Sequence, residues 1–237
     1  MLTIIAELGI NHNGNKALLF ELCRSAIING ADYVKVQLYS SMALFGDDSR
    51  SYLELDYDTI NDLKMYTEDH GKELVASVFD HERLEWCEKL GMKRYKIASR
   101  TLRDDKEFTG DVVNVGKPVY ISLGMHQEID PQFFIKANVS LFYCVSEYPA
   151  YYPEERVVFS FSDKFCGWSD HCLGISYALF AIANGASFIE KHYTLDKSDM
   201  THRDHIGSMN ANELMILNTY GRELHRTYKR VSQGVIK

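Results

Sequence analysis

Short runs rich in β-branched and aromatic residues recur along this chain, and each is followed by a stretch patterned for a helix or a crossover. TIIAEL at 3–8 precedes a helical pattern from near Asn15 to Gly30. YVKVQLY at 33–39 precedes a variable segment and a helix around 58–70, closed by Gly71. ELVASVF at 73–79 leads to a helix at 81–90 ahead of Gly91, whereas RYKIAS at 94–99 leads into a weakly patterned segment. PVYISL (118–123), SLFYCVS (140–146), FCGWSD (165–170) and SFIEKH (187–192) are followed by helical patterns at 130–137, 153–163, 174–184 and 210–230. Apolar, non-alternating strands separated by helices predict a parallel sheet covered on both faces. Eight such units predict that the sheet closes, giving an α/β single domain over 1–237, a (β/α)8 barrel of the TIM type. An open doubly wound sheet has the same periodicity and is the alternative.

Composition narrows the function classes. The 237 residues carry 26 basic and 33 acidic side chains, a net charge of −7. That balance argues against a nucleic-acid partner, although a cleft with its own lysines can still take an anionic small molecule. With 46% hydrophobic residues the chain can build a sizeable core. No stretch reaches the roughly 18–20 apolar residues of a membrane span, so no membrane association is expected. The start, MLTIIAELGINHNGN, has no basic segment or cleavage site of a signal peptide. Five cysteines, an odd number without a C-x-x-C pair, read as reduced thiols in a cytoplasmic protein.

In such a barrel the reactive groups belong at the C-terminal ends of the strands. Those ends read Glu7; Lys35 and Gln37; Ser77 and Asp80; Lys96 and Ser99; Ser122; Ser146 and Tyr148; Ser169, Asp170 and His171; Glu190, Lys191 and His192. A strand lysine taken singly is more often a snorkelling side chain than a ligand. Polar groups on all eight strand ends are another matter, because burying that many without function is costly. Lys35 and Lys96, with the surrounding serines, suit a phosphate and a carboxylate. His171 and His192, on adjacent strands, could share a divalent metal with open positions left for water or substrate. Asp170 and Glu190 are the carboxylates expected to orient those imidazoles. A satisfied core histidine pair or an acid/base pair is the competing reading.

Nine blocks then occur in order between residues 6 and 209: AELGINHNGN, ADYVKVQLY, SVFD, YKIAS, ISLGM, YCVSEYP, GWSDH, GASFIEKHYTLD and RDHIGSM. Together they resemble the N-acetylneuraminate (sialic acid) synthase family, which condenses phosphoenolpyruvate with an N-acetyl amino sugar. The resemblance implies a barrel that binds phosphoenolpyruvate and a manganese-type divalent ion, with Mg2+ or Co2+ as alternatives. It implies His171 and His192 as metal ligands and phosphoenolpyruvate contacts from Lys35, Ser77, Lys96, Ser99, Ser122, Ser146 and Ser169. Ser77 and Ser146 stand where the family often has Thr and Asn. It further implies acceptor contacts from Gln37, Tyr148 and Asp204, a catalytic role for Glu7, and a site-bordering loop at Asn11-His12-Asn13.

The implied reaction joins C3 of phosphoenolpyruvate to the acceptor's aldehyde carbon and gives a sialic-acid-type 3-deoxy-2-keto acid and phosphate. Two departures concern the acceptor half. KIASRT places Thr101 where the family has a glutamate, with Arg100 before it, which makes an anionic acceptor plausible. The sequence given ends at Lys237, without room for the family's C-terminal antifreeze-like domain and its acceptor-binding arginine; Arg100 or Arg203 are candidates to stand in for it. The expected partners are therefore phosphoenolpyruvate and an aldose, N-acetylmannosamine-like or differently substituted, with a homo-oligomer possible. A related phosphoenolpyruvate-aldose synthase, a non-catalytic sugar-binding barrel and a Schiff-base aldolase using Lys96 or Lys191 are the competing functions.

Overall fold

The structure is a computed structural model that describes residues 1–125, 136–151 and 159–235. Eight parallel strands close on themselves in sequence order: β1 (Thr3–Glu7), β2 (Tyr33–Leu38), β3 (Glu73–Val78), β4 (Tyr95–Ile97), β5 (Val119–Ser122), β6 (Val139–Cys144), β7 (Phe165–Asp170) and β8 (Phe188–His192). Closure is direct, because β1 pairs with both β2 and β8. The open-sheet alternative is thereby set aside. Among the described residues no helix is long and apolar enough to cross a membrane.

The helices fall close to where the pattern put them. Helix α1 (Lys16–Ile28) is capped by Asn15, whose side chain accepts from the Ala17 and Leu18 amides. A short α2 (Ser41–Phe45) and one 3₁₀ turn at Ser51–Leu53 fill the variable segment before α3 (Tyr57–Asp69). Asp80 caps α4 (His81–Lys89) by accepting from the Arg83 amide. It is therefore a structural cap, not the mouth residue expected from its place after β3.

The strand expected at 94–99 shortens to three residues because Ser99 already opens α5 (Ser99–Asp104), followed at once by α6 (Lys106–Asn114). Asp105 ends the first of these helices and caps the second, and a helical phase broken there left no single periodicity to read. The remaining helices among the described residues are α7 (Ser176–Ala183), α8 (Asp204–Gly207) and α9 (Ala211–Ser232). The helices expected at 130–137 and 153–163 lie mainly outside the described residues. The described parts, 136–137 and 159–163, are not helical.

Strand alternation sorts the core into two compartments. Outward residues such as Ile4, Val34, Val36, Leu74 and Ile97 are fully or almost fully buried beneath the helices. Inward, at the N-terminal end, Ile5, Tyr120, Phe142 and Cys166 form a plug with Tyr33 and Phe188. The Tyr120 and Phe142 rings stack at 5.1 Å, and Phe188 lies 5.0 Å from Tyr120. A Cβ on Gly167 would come within 2.3 Å of the Phe142 ring, so only glycine lets the plug fill the barrel at that level. This plug is the floor of the site.

One irregularity decides which side chains stand on that floor. Leu141 pairs with Phe165, but Phe142 pairs with Gly167, so Cys166 is an extra residue in β7. Phe165 packs outward on Tyr143 at 5.3 Å, whereas Cys166 belongs to the inward plug. After the bulge Trp168 and Asp170 face the helices, and Ser169 and His171 line the interior.

Candidate active site

The register of the strands sets the mouth layer by layer. Glu7 is paired with Lys35 on one side and with His192 on the other, and Gln37 is paired with Ser77. These residues and Lys96, Ser99, Ser122, Ser146, Tyr148, Ser169, His171 and Glu190 line one cavity, with about 480 Å³ of empty space when the open solvent at its mouth is included. Every phosphoenolpyruvate-contact candidate from the sequence is among them. Asp204 is not. It lines a small adjoining recess with Tyr148, His171, His192 and Arg203.

On the floor sit two ammonium groups and two carboxylates. Lys35 Nζ pairs with Glu7 and donates to Ser77 Oγ at 3.0 Å. Lys96 Nζ donates to Ser122 Oγ at 2.6 Å. Glu190 stands between them: one oxygen is 3.6 Å from Lys96 and accepts from Ser169 Oγ at 2.8 Å, and the other is 3.8 Å from Lys35. Burial raises the Glu190 carboxyl, but the two lysines outweigh it and hold the group down to about 2. Burial holds Lys35 down to about 8, with Glu190 opposing and Lys96 adding to the fall. These groups keep unspent capacity, since Glu7 Oε1 and Glu190 Oε2 are buried without a hydrogen-bond partner among the described residues.

The two imidazoles form the other wall. Their ring centres are 5.6 Å apart, a span one cation can bridge with metal–nitrogen bonds of about 2 Å. His171 Nδ1 meets the Val145 carbonyl at 2.8 Å, which leaves its Nε2 free to act as a ligand. His192 Nδ1 is buried with no hydrogen-bond partner among the described residues. Gly9, at φ +50°, makes room for that ring: a Cβ there would sit 2.9 Å from His192 Nδ1. Burial, then the neighbouring His171, hold the His192 imidazole well below its ordinary value, which favours the neutral form that ligates metals. Burial also lowers His171, but Cys144, the Val145 carbonyl and Glu190 outweigh it and leave that group raised.

Among the described residues no group of three or more His, Cys, Asp or Glu side chains is arranged to hold a metal. The residues present thus fit a two-imidazole site whose other positions belong to water or substrate. The carboxylates expected to orient the imidazoles do not do so. Glu190 points to the lysines. Asp170 faces outward, where it pairs with Lys191 at 3.1 Å. The carboxylate near an imidazole is Asp204, 3.7 Å from His192 Nδ1. Lys191 also leaves the list of Schiff-base candidates, because it lies outside the mouth in that pair.

Residues 46–233 match the NeuB family. The chain belongs to the NeuB family. The NeuB chain is 31% identical over 267 residues to the N,N'-diacetyllegionaminic acid synthase of Campylobacter jejuni, covering 99% of this chain and 78% of that one. It is 29% identical over 245 residues to the human N-acetylneuraminate-9-phosphate synthase, covering 89% and 67%. Its barrel is similar to the crystal structure of the Leptospira borgpetersenii sialic acid synthetase, with a TM-score of 0.83, 26% identity and coverage of 95% and 84%.

One feature of this NeuB barrel went unread in the sequence, one takes a different place from the one expected, and one expected candidate reaches the cavity. Cys144 lines the cavity, with Sγ 3.6 Å from His171 Nδ1. Glu190, expected beside the histidines, stands between the two lysines, although its i, i+2 spacing to His192 already puts both side chains inside. Arg100 reaches the cavity wall while Thr101 does not, and the Thr101 hydroxyl is buried without a partner among the described residues.

Proposed function

We propose that this chain condenses phosphoenolpyruvate with an aldose, an amino sugar of the N-acetylmannosamine type, to give a sialic-acid-type 3-deoxy-2-keto acid and phosphate. The observation that carries the reading is the convergence of two lysines, their serine hydroxyls and two facing imidazoles on one floor-sealed cavity. The named synthases among its relatives support it.

Lys35 and Lys96, steered by Glu190 and by the Ser77 and Ser122 hydroxyls, bind the phosphate and carboxylate of phosphoenolpyruvate. Ser99 and Ser146 add donors around the same anion, and Ser169 joins them by turning its hydroxyl from Glu190 to the ligand. His171 and His192 hold a divalent ion, Mn2+ in this proposal, and that ion supplies Lewis-acid polarisation of the acceptor aldehyde. Gln37 and Tyr148 orient the sugar from the cavity wall and Asp204 from the recess beside His192. C3 of phosphoenolpyruvate forms the new bond to the aldehyde carbon, water adds at C2, and phosphate leaves. Glu7, in register with Lys35 on one side and His192 on the other and with one oxygen unpartnered among the described residues, carries the proton needed at the former aldehyde oxygen.

The deciding experiment follows phosphate release from phosphoenolpyruvate with Mn2+ and a panel of aldoses, with product masses read alongside. One aldose should give phosphate and the corresponding keto acid in equal amounts, and no release with any aldose would reject the proposal. His192→Ala should lose metal binding and turnover together. Full turnover in chelator-treated His192→Ala would remove the metal from the reaction.

A further inference from the structure

Arg100 stands four residues past Lys96, on α5, and lines the cavity above the lysine floor. In the closed order of strands, β4 lies across the barrel from β8, so Arg100 faces the imidazole wall from the far side of the mouth. Its guanidinium lies 5.3 Å from the centre of the Phe45 ring, and Arg50 lies over the same ring at 4.5 Å. Neither guanidinium pairs with a carboxylate among the described residues, and the only carboxylates lining the cavity, Glu7 and Glu190, are held by the lysines. Stacking uses the flat face of an arginine and leaves the in-plane N–H fork free to grip an oxyanion. Beside the same ring, the Tyr39 hydroxyl is buried without a hydrogen-bond partner among the described residues.

A cationic fork held in place at the rim, yet left unpaired, is what a charged ligand needs. The deeper anion site already has two ammonium groups and their hydroxyls. A rim-level charge opposite the imidazoles is therefore placed for the second substrate, whose aldehyde end lies at the imidazole wall and whose other end extends across the mouth. We infer that the acceptor carries an oxyanion, phosphate or carboxylate, at the end remote from its aldehyde, and that Arg100, assisted by Arg50, is the residue that selects it. This rests on the reaction proposed above and narrows its acceptor to an anionic sugar.

The test compares N-acetylmannosamine, its 6-phosphate and its 6-carboxylate as acceptors for the full chain, with phosphoenolpyruvate and Mn2+ held constant. A charged acceptor should be preferred in kcat/KM by about 10- to 100-fold, the range of a charge-assisted hydrogen-bond pair. Arg100→Ala should collapse that ratio towards one, Arg100→Lys should restore part of it, and Arg50→Ala should reduce it less. The identity of the better anion separates phosphate from carboxylate. Equal use of neutral and charged acceptors by the unaltered chain overturns the inference and leaves the condensation standing. So does a rise in the phosphoenolpyruvate KM, instead of a loss of acceptor preference, in Arg100→Ala.

Calorimetry of the 6-phosphate against unmodified N-acetylmannosamine, with and without Arg100, gives a readout independent of turnover. Arg100-dependent binding without turnover on any acceptor supports the subsite and rejects the reaction. No binding difference rejects the subsite.

Discussion

Two buried ion-pair systems are made from successive residues of the same two strands, and their contrast separates what holds the barrel from what the barrel holds ready. Asp170 and Lys191 face outward with side chains 0% exposed. Lys191 donates to Asp170 Oδ2 and to the Cys172 carbonyl, and Asp170 Oδ1 accepts from the Cys172 amide. That pair is satisfied within the protein. One position away, Ser169 and Glu190 face inward and meet Lys35 and Lys96 with an oxygen left over. Buried polar groups are normally partnered, so a closed network reads as structure and an incomplete one, open to a cavity, reads as a place for a ligand.

The outer pair should break hardest. Lys191→Met strands a buried carboxylate and should cost about 3–5 kcal/mol in a denaturant titration, whereas the double change Asp170→Leu/Lys191→Met should recover most of it. The inner set should respond in function instead. Lys96→Met should raise the phosphoenolpyruvate KM by roughly 100-fold, the effect of losing a charged hydrogen-bond partner. Its loss of stability should stay well below that of Lys191→Met, because cavity water can take the vacated place. A larger stability loss from Lys96→Met than from Lys191→Met would erase the distinction.

The next effect is one of pH. Lys35, held down to about 8 by burial, is charged below pH 8 in folded and unfolded chains alike. Between about 8 and the ordinary lysine value near 10.4, the unfolded chain keeps the proton and the folded chain does not. Through that window this site's contribution to folding stability rises with pH, while affinity for phosphoenolpyruvate falls as the ammonium discharges. The phosphoenolpyruvate KM should therefore climb above pH 8, and Lys35→Arg, which keeps its charge, should flatten the climb. The smallest change is Ser122→Ala, which removes one hydroxyl beside Lys96 and should cost about 0.5–1.5 kcal/mol of binding, read as a KM shift of about tenfold at most.

Much of this comparison was legible in the sequence, because a barrel strand exposes its logic through period and position. The eight strands, their parallel order and the convergence of Glu7, Lys35, Lys96, His171 and His192 all follow from apolar runs that end in polar residues. Three things were not legible. Asp80 and Asp170 sit beside site residues in the chain, but one became a helix cap and the other turned outward. Sequence adjacency at a strand end does not state which face a side chain takes, or where a helix begins. Asp204 reaches His192 from the first residue of the short helix α8, and its distance to the ring is set by tertiary packing that no spacing encodes. Arg100 could be noticed as a departure from the family pattern, but only the fold put it across the mouth from the imidazoles with its partner Phe45.

The single-residue bulge at Cys166 carries a consequence for how this barrel can change. Exchanging the cysteine for another small apolar residue leaves the count of residues intact and with it the orientation of everything downstream. Deleting it would leave Phe165 outward and Gly167 inward in plain alternation, so the bulge would vanish while Ser169 and His171 stay in the mouth and Trp168 and Asp170 stay beneath the helices. What the extra residue supplies is a second inward side chain beside Phe142, so its loss should hollow the floor beneath the imidazole wall without turning the wall itself.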